Sequence, residues 1–389
     1  MIRLCIAVVA GMVAGTAPAL ADFSSCKENL MADAMRSGVS RRTAEAAFQG
    51  LNADPKVLEL ETSQPEFKTP IWDYRAVLVD DERVRDGKAA IAAKAKALAL
   101  AERRFGVDKY VVAAIWGVES DFGREMGGRP LVQSLTTLVC SGSRRPQYFR
   151  SELMATLKIA DRGDIPLEEL KGSWAGAFGQ TQFMPSSFLR LAVDLDGTGR
   201  NIIDNSAAAL GSTANYLKKS GWKTGEPWGF EVKVPVGYAG PRGRRSKQPM
   251  SFWAARGIKR IDGGDLGGGA AGLLLPAGEN GPAFLVTHNF DVIYSYNAAE
   301  SYALAAAILA QRLAGGPGII TPWPTDDPGL SRAERRELQE LLAKRGYDVG
   351  TPDGAIGAKT KSAIADFQQK AGLVVNGRAS EKVIEKLRR

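Results

Sequence analysis

The stretch from Asp108 to Gly123, DKYVVAAIWGVESDFG, constrains the fold more than any other part of the chain. Asp108 can cap a helix that runs through Val111, Val112, Ile115, Trp116 and Glu119. A helix with so apolar an inner face must pack against other elements. On a 3.6-residue repeat, Val112, Ile115 and Trp116 share the face of Glu119. A carboxylate there is partly desolvated and sits at the helix C-terminal end, where the dipole disfavours negative charge. Both effects favour its protonated form, as a general acid near neutral pH requires. On this segment alone, a surface glutamate at a fraying helix end is the competing reading. Asp121 is expected to point elsewhere and be solvated.

A second segment, Gly172 to Phe188, reads GSWAGAFGQTQFMPSSF. Gly172, Gly176 and Gly179 let the backbone approach a ligand closely. Ser173, Gln180 and Gln182 offer neutral hydrogen-bonding groups, and Pro185 can open the next helix. Without a partner such as Glu119 this would be an ordinary glycine-rich turn between helices. Further on, Asp194-Leu195-Asp196-Gly197-Thr198-Gly199, with Asp204 and Asn205 following, resembles the start of a calcium-binding loop. Thr198 replaces the usual Asp or Asn, and Asn205 the usual Glu, which weakens such a site; an Asp/Gly turn is the alternative. The single histidine, His288, lies in an apolar strand-like segment and reads as structural. One histidine excludes histidine-based metal sites and argues against a Ser-His-Asp triad. Gly263 to Gly272 does not sit between a clear strand and helix, so it does not read as a dinucleotide site. The basic run Arg242 to Lys247 lacks aromatic interleaving and reads as an exposed loop.

Near the N-terminus, Arg3 precedes an apolar run, Leu4 to Val13, too short to span a membrane. Ala19 and Ala21 form a small-x-small cleavage pattern, so residues 1–21 read as a signal peptide and the product as exported and soluble. Cys26 stands too far beyond the apolar run for a lipid-anchored cysteine. Cys5 leaves with the leader, and Cys26 and Cys140 then meet an oxidising compartment, where a disulfide between them is expected; two buried free thiols are the alternative. The 389 residues allow two or three domains, and a net charge of +8 suits an anionic partner as well as it suits a merely basic surface.

From Ser24 to about Leu313 the pattern is mostly helical. Ala89 to Phe105 is rich in helix formers and stops at Gly106; Tyr148 to Ile159, Ser206 to Lys219 and Ala298 to Leu313 are also helical in period. Glu231 to Val234 and Ala283 to Thr287 read as strands of a small β-containing insertion. A breaker-rich linker, residues 315–329, separates a module at 330–389. There Ser331 and Glu334 form a capping box before Leu338, Leu341 and Leu342. Two further helices carry Ile364 and Phe367, then Val383, Ile384 and Leu387. The linker suggests an independent anchor that raises local substrate concentration.

These blocks resemble the lytic transglycosylase B family, periplasmic murein transglycosylases with a lysozyme-like core. The resemblance rests on Pro65-Glu66-Phe67 with Ile71-Trp72-Asp73-Tyr74, on Ile115-Trp116-Gly117-Val118-Glu119-Ser120, and on Arg144-Arg145 with Tyr148-Phe149. It continues through Ala175 to Ser187, the Asp194 loop and Asn215-Tyr216-Leu217, then Tyr296-Asn297 and Tyr302-Ala303. The last sixty or so residues resemble a three-helix peptidoglycan-binding domain in Leu338-Gln339, Gly346-Tyr347, Asp353-Gly354, Gly357, Thr360 and Phe367-Gln368. The resemblance implies a mainly α (α+β) fold, with a lysozyme-like catalytic domain at 22–314. It implies Glu119 as the single catalytic acid, Ser173, Gln182, Tyr216, Tyr296, Asn297 and Tyr302 along the sugar cleft, and Arg145 near the stem peptide. A structural calcium would be held by Asp194, Asp196, Thr198 and Asp204, with no cofactor required for the reaction. The implied partner is the peptidoglycan glycan strand, with no nucleic acid and no transmembrane segment, acted on by a periplasmic monomer. The implied reaction is cleavage between N-acetylmuramic acid and N-acetylglucosamine, closing a 1,6-anhydro ring. A lysozyme-type hydrolase or a catalytically silent wall-binding scaffold are the alternatives.

Overall fold

Helix-forming segments dominate the computed structural model, which describes residues 17–61 and 69–389. The expected leader lies outside the described residues as far as residue 16, and so does Pro65-Glu66-Phe67. The described residues form two compact units: one of 17–61, 127–177 and 184–189, the other of 69–126, 178–183 and 190–389.

In the first unit the helix Ala17–Arg36 precedes Arg41–Phe48, whose N-cap Ser40 accepts from the Thr43 amide. Helices Leu131–Cys140 and Pro146–Asp161 supply buried Leu131, Leu135, Leu138, Leu153 and Leu157. Cys26 and Cys140 are disulfide-bonded, with Cα atoms 5.8 Å apart. A short antiparallel ribbon pairs Arg129–Pro130 with Lys171–Gly172. Buried Glu152 accepts hydrogen bonds from the amide and hydroxyl of Ser186, fixing the start of the helix Pro185–Leu191.

The second unit is built around the helix Lys109–Ser120. Asp108 caps it, accepting from the Tyr110 amide at 2.7 Å, after Gly106 has ended the preceding helix in the left-handed region. Residues 111–117 are all buried. Burying side chains such as Ile115 and Trp116 contributes roughly 2–3 kcal/mol each. The alanine-rich helix Glu300–Leu313 packs against it, small side chains allowing close approach. The expected continuous helix Ala89 to Phe105 is instead two, Asp81–Ala93 and Ala95–Phe105, broken at Lys94.

Residues 229–286 contribute a five-stranded antiparallel sheet, in spatial order Gln248–Pro249, Ala270–Leu274, Ala283–Val286, Gly229–Lys233, Lys259–Arg260. Phe230, Val232, Leu273 and Leu285 face a small core with Met250 and Trp253, whereas Leu274, Phe284 and Val286 join the main helical core. Both faces of Ala283–Val286 are therefore buried, and its sequence shows no alternation.

The C-terminal helices Arg332–Lys344, Ala358–Lys370 and Glu381–Arg388 enclose Leu338, Leu342, Ile364, Phe367, Val383 and Leu387. The Ser331–Glu334 capping box is formed. This module is docked against the rest of its compact unit by a set of arginine–carboxylate contacts. Arg332 Nε lies 3.1 Å from Asp80 Oδ2 and its NH1 3.0 Å from Asp121 Oδ1. Arg336 pairs with Glu82 at 2.6 Å, and Arg378 grips Asp73 through Nε at 2.5 Å and NH2 at 2.6 Å. The segment leading to it is held too: the amides of Ile320 and Thr321 each donate to buried Glu231 at 2.7 Å. Among the described residues no helix is long and apolar enough to cross a membrane.

Candidate functional site

Glu119 occupies the last full turn of Lys109–Ser120 and is half-buried. The backbone beyond it turns sharply: Asp121 and Phe122 have φ of 51° and 61°. With Gln182, at 49°, they are the positive-φ non-glycine residues among those described, and all three adjoin this site. Such conformations cost of order 1–3 kcal/mol each and persist only where the surroundings impose them. Here the surroundings are plain. Buried Asp121 pairs with Arg83 at 3.3 Å, Arg124 at 2.8 Å and Arg332 at 3.0 Å, so it is not the solvated carboxylate its sequence position suggests. Arg83 also donates to the Gly117 carbonyl. Phe122 stands edge-on to Trp116 and fills the space over Gly87 and Gly117.

The Tyr302 hydroxyl donates to Glu119 Oε1 at 2.5 Å. Tyr302 comes from the buried helix Glu300–Leu313, and its phenol is pushed well above the usual tyrosine range, first by burial and then by the charge of Glu119. It therefore remains a donor. Tyr296 stacks on Tyr302, rings 5° from parallel and centroids 6.5 Å apart, and donates to the Thr181 carbonyl at 2.7 Å. Burial, then Glu119, raises its pKa as well. Tyr216 lies 4.8 Å from Tyr296, and its hydroxyl donates to Ser295 O at 2.6 Å.

The loop 178–183 folds onto this aromatic wall. Phe178 and Phe183 close it as an antiparallel bridge, and Phe183 packs edge-on against Tyr216 and Tyr296. Gly179, at φ 74°, is required: a Cβ there would meet Ile202 Cγ1 at 2.7 Å. Gln182 Nε2 donates to the carbonyls of Met126 and Gly179, both at 2.9 Å, and the Gln180 side chain donates to Ile203 O at 3.0 Å. Ser120 donates to the Gln180 carbonyl, tying this loop to the end of the Glu119 helix.

The structure thus brings Glu119, Gln182, Tyr216, Tyr296 and Tyr302 into one connected group, and Asn297 lines a cavity of about 610 Å3 together with Glu119 and Tyr302. Ser173 and Arg145 belong to the other unit. Ser173 Oγ accepts from the Ala177 amide at 3.0 Å, and exposed Arg145 lies over the Tyr148 ring at 4.0 Å. His288 contacts Gly221 O at 2.9 Å.

In the Asp194 loop, Asp194 accepts from the Gly197 amide, and Asp196 accepts from the Thr198 amide and hydroxyl, which holds its carboxyl below the usual range. Asn205 donates to Thr198 and caps the helix Ser206–Lys219. No group of three acidic, histidine or cysteine side chains converges there among the described residues, so a cation would have to draw on carbonyl and hydroxyl oxygens or reorganise these bonds.

Asp73 stood in a block that carries the resemblance but was given no role, and sequence reasoning overlooked Arg83, Arg332, Arg335, Lys361 and Arg378 altogether. Each acts through a partner or cavity remote in the chain, and no local motif marks it.

Residues 22–311 match the family described as transglycosylase SLT domain, and residues 331–387 a peptidoglycan binding domain family. SltB3 from Pseudomonas aeruginosa, solved in complex with NAG-anhNAM-pentapeptide, is 43% identical with a TM-score of 0.75, covering 94% of this chain and 99% of that one. The lytic transglycosylase Slt35 of Escherichia coli, solved in complex with calcium, is 31% identical with a TM-score of 0.65, covering 74% and 92%. The membrane-bound lytic murein transglycosylase B of Escherichia coli (strain K12) is 33% identical over 255 residues, which are 62% of this chain and 66% of that relative.

Proposed function

Since the chain belongs to the lytic murein transglycosylase B family, enzymes acting on peptidoglycan, we propose that it cleaves the bond between N-acetylmuramic acid and N-acetylglucosamine without water, using Glu119 alone as acid and then base. The observation that carries this reading is the charge inventory of the cavity. Asp73 and Glu119 are its two carboxylates among the described lining residues, and Asp73 is bound by both arms of Arg378. A two-carboxylate hydrolysis needs a second acid opposite the first. Here the arginine has claimed it.

In this mechanism Glu119 gives its proton to the glycosidic oxygen as the C1–O bond of the muramic residue breaks. The electron deficiency at C1 is relieved by the substrate's own N-acetyl oxygen. Glu119, now a carboxylate, takes the proton of the muramic C6 hydroxyl, whose oxygen attacks C1 and displaces the acetamido oxygen. Atoms balance with no water consumed. Tyr302 holds one oxygen of Glu119 throughout, which fixes the carboxyl for both transfers. Gln182, Tyr216, Tyr296 and Asn297 would line the sugar path, and by resemblance Ser173 would bind sugar and Arg145 the stem peptide. Residues 1–21 would direct the chain to the periplasm.

Replacing Glu119 by Gln tests the assignment. Activity on purified sacculi should fall about 10²–10⁴-fold while binding persists. Products of the unaltered protein should carry 1,6-anhydromuramic ends by mass analysis. Reducing muramic ends, or a fully active Glu119→Gln, would overturn the reading. A calcium ion at the Asp194 loop is a separate proposal, supported by the spacing of Asp194, Asp196 and Thr198. A rise in melting temperature on calcium titration, abolished in Asp194→Ala, is the expected result; no rise would dismiss it.

A further inference from the structure

One wall of the Glu119 cavity comes from the C-terminal module. Glu119, Tyr302 and Asn297 on one side face Arg335, Lys361 and Asn376 on the other, around about 610 Å3. The wall is firmly built. Buried Gln368 accepts from the amides of Asn376 and Gly377 at 2.9 and 2.8 Å and donates to the Asn376 side chain at 2.9 Å. Gly377, at φ 66°, sits against the Lys361 carbonyl, where a Cβ would approach to 3.0 Å. At the module's edge, a Cβ on Gly329 would fall 2.7 Å from Asp73 Oδ1, so the chain passes directly over that carboxylate.

The cations of this wall are unequally committed. Arg378 is neutralised by Asp73 and by Asp327 at 2.8 Å. Arg335 donates through Nε to the Leu330 carbonyl at 3.1 Å and has no ion pair among the described residues. Lys361, in the first turn of Ala358–Lys370, is exposed, and its ammonium has no hydrogen bond or ion pair among the described residues. Arg335 lies within the field of Asp73 and Asp80, which are themselves paired with Arg378 and Arg332, so Lys361 is the cation of this wall left with no carboxylate partner among the described residues. The sugars of a peptidoglycan strand are N-acetylated and carry no fixed charge on their rings. Its carboxylates are on the peptide stems.

We propose that Lys361, assisted by Arg335, forms a carboxylate-binding subsite through which the C-terminal module takes hold of the peptide stem of the strand lying at Glu119. The module is then part of the cleft and a determinant of substrate choice as well as a wall anchor. Arg145 belongs to the other compact unit and is not among the residues of this wall. The inference rests on Glu119 marking the reaction site.

The test uses the full chain with two substrates, glycan strands bearing intact stems and the same strands stripped of peptide by an amidase. In Lys361→Gln the ratio of kcat/KM on stem-bearing to stripped strands should fall about fivefold, and in Lys361→Glu about tenfold or more, as loss and then reversal of one charge-assisted contact predicts. The change should lie in KM and shrink with added salt. In parallel, calorimetry of a pentapeptide-bearing disaccharide with Glu119→Gln and with Glu119→Gln/Lys361→Glu should show a matching drop in affinity, with no turnover required. An unchanged ratio with unchanged affinity, or equal losses on both substrates, would overturn the subsite. A wrong choice of Glu119 would appear instead as an active Glu119→Gln, leaving the Lys361 comparison readable.

Discussion

The hydroxyl of Tyr302 hydrogen-bonds Glu119, and removing it separates two effects. Tyr302→Phe keeps the buried ring and deletes one hydrogen bond to a carboxylate, a contact worth roughly 1.5–3 kcal/mol. We expect kcat to fall at least about tenfold with little change in KM, since the carboxyl is no longer held for either proton transfer. The same substitution has a signature in alkali. In the unfolded chain tyrosine ionises near pH ~10, whereas burial and Glu119 hold the folded phenols of Tyr302 and Tyr296 well above that. Above that pH the unfolded state has lost protons the folded state retains, so stability falls as pH rises. Melting temperatures of Tyr302→Phe should therefore decline less steeply than those of the unaltered protein beyond pH ~10. Parallel declines would mean that Tyr302 ionises in the fold much as it does in water.

At the scale of elements, the helix Lys109–Ser120 supplies a sign test. Alanine at a helix interior position normally gains about 1 kcal/mol over glycine. At Gly117 the added Cβ would lie 2.5 Å from Phe122 Cζ and 3.3 Å from Leu309 Cδ2. Overpacking of this kind costs about 1–3 kcal/mol, so sterics should win. Gly117→Ala should lower the denaturation midpoint and, by shifting the Asp121–Phe122 turn, also lower activity. A more stable Gly117→Ala would show that Phe122 moves aside freely. What the sequence displays is mainly chemistry that closes within a few residues. The Asp108 cap, the stop at Gly106 and the Ser331–Glu334 box are local bonds and were legible. The break at Lys94 was not, because the flanking residues are good helix formers and nothing in them interrupts the pattern. Strand Ala270–Leu274 was hidden behind a run of glycines, although its own residues bury on both faces of the sheet. The residues tied to Glu119 by recurring motif were readable, whereas the Arg332–Asp121 bond joins positions 211 apart and leaves no local trace.

Across the whole molecule, the module at 330–389 and the Glu119 helix share one compact unit through arginine–carboxylate contacts, several with a buried acid. The other unit is discontinuous. It collects residues 17–61, 127–177 and 184–189, and its disulfide spans 114 positions. This arrangement sets a timetable for the nascent chain. At roughly 5–20 residues per second, the thiol of Cys26 waits on the order of ten seconds before Cys140 has been made. The last piece of its unit, residues 184–189, arrives later still. Arg41–Phe48 can meet the helix Ala17–Arg36 early, whereas the contacts of that helix with Leu131–Cys140 must wait for the later segment. The helix Ala17–Arg36 is thus made early and completes its packing only once Leu131–Cys140 exists.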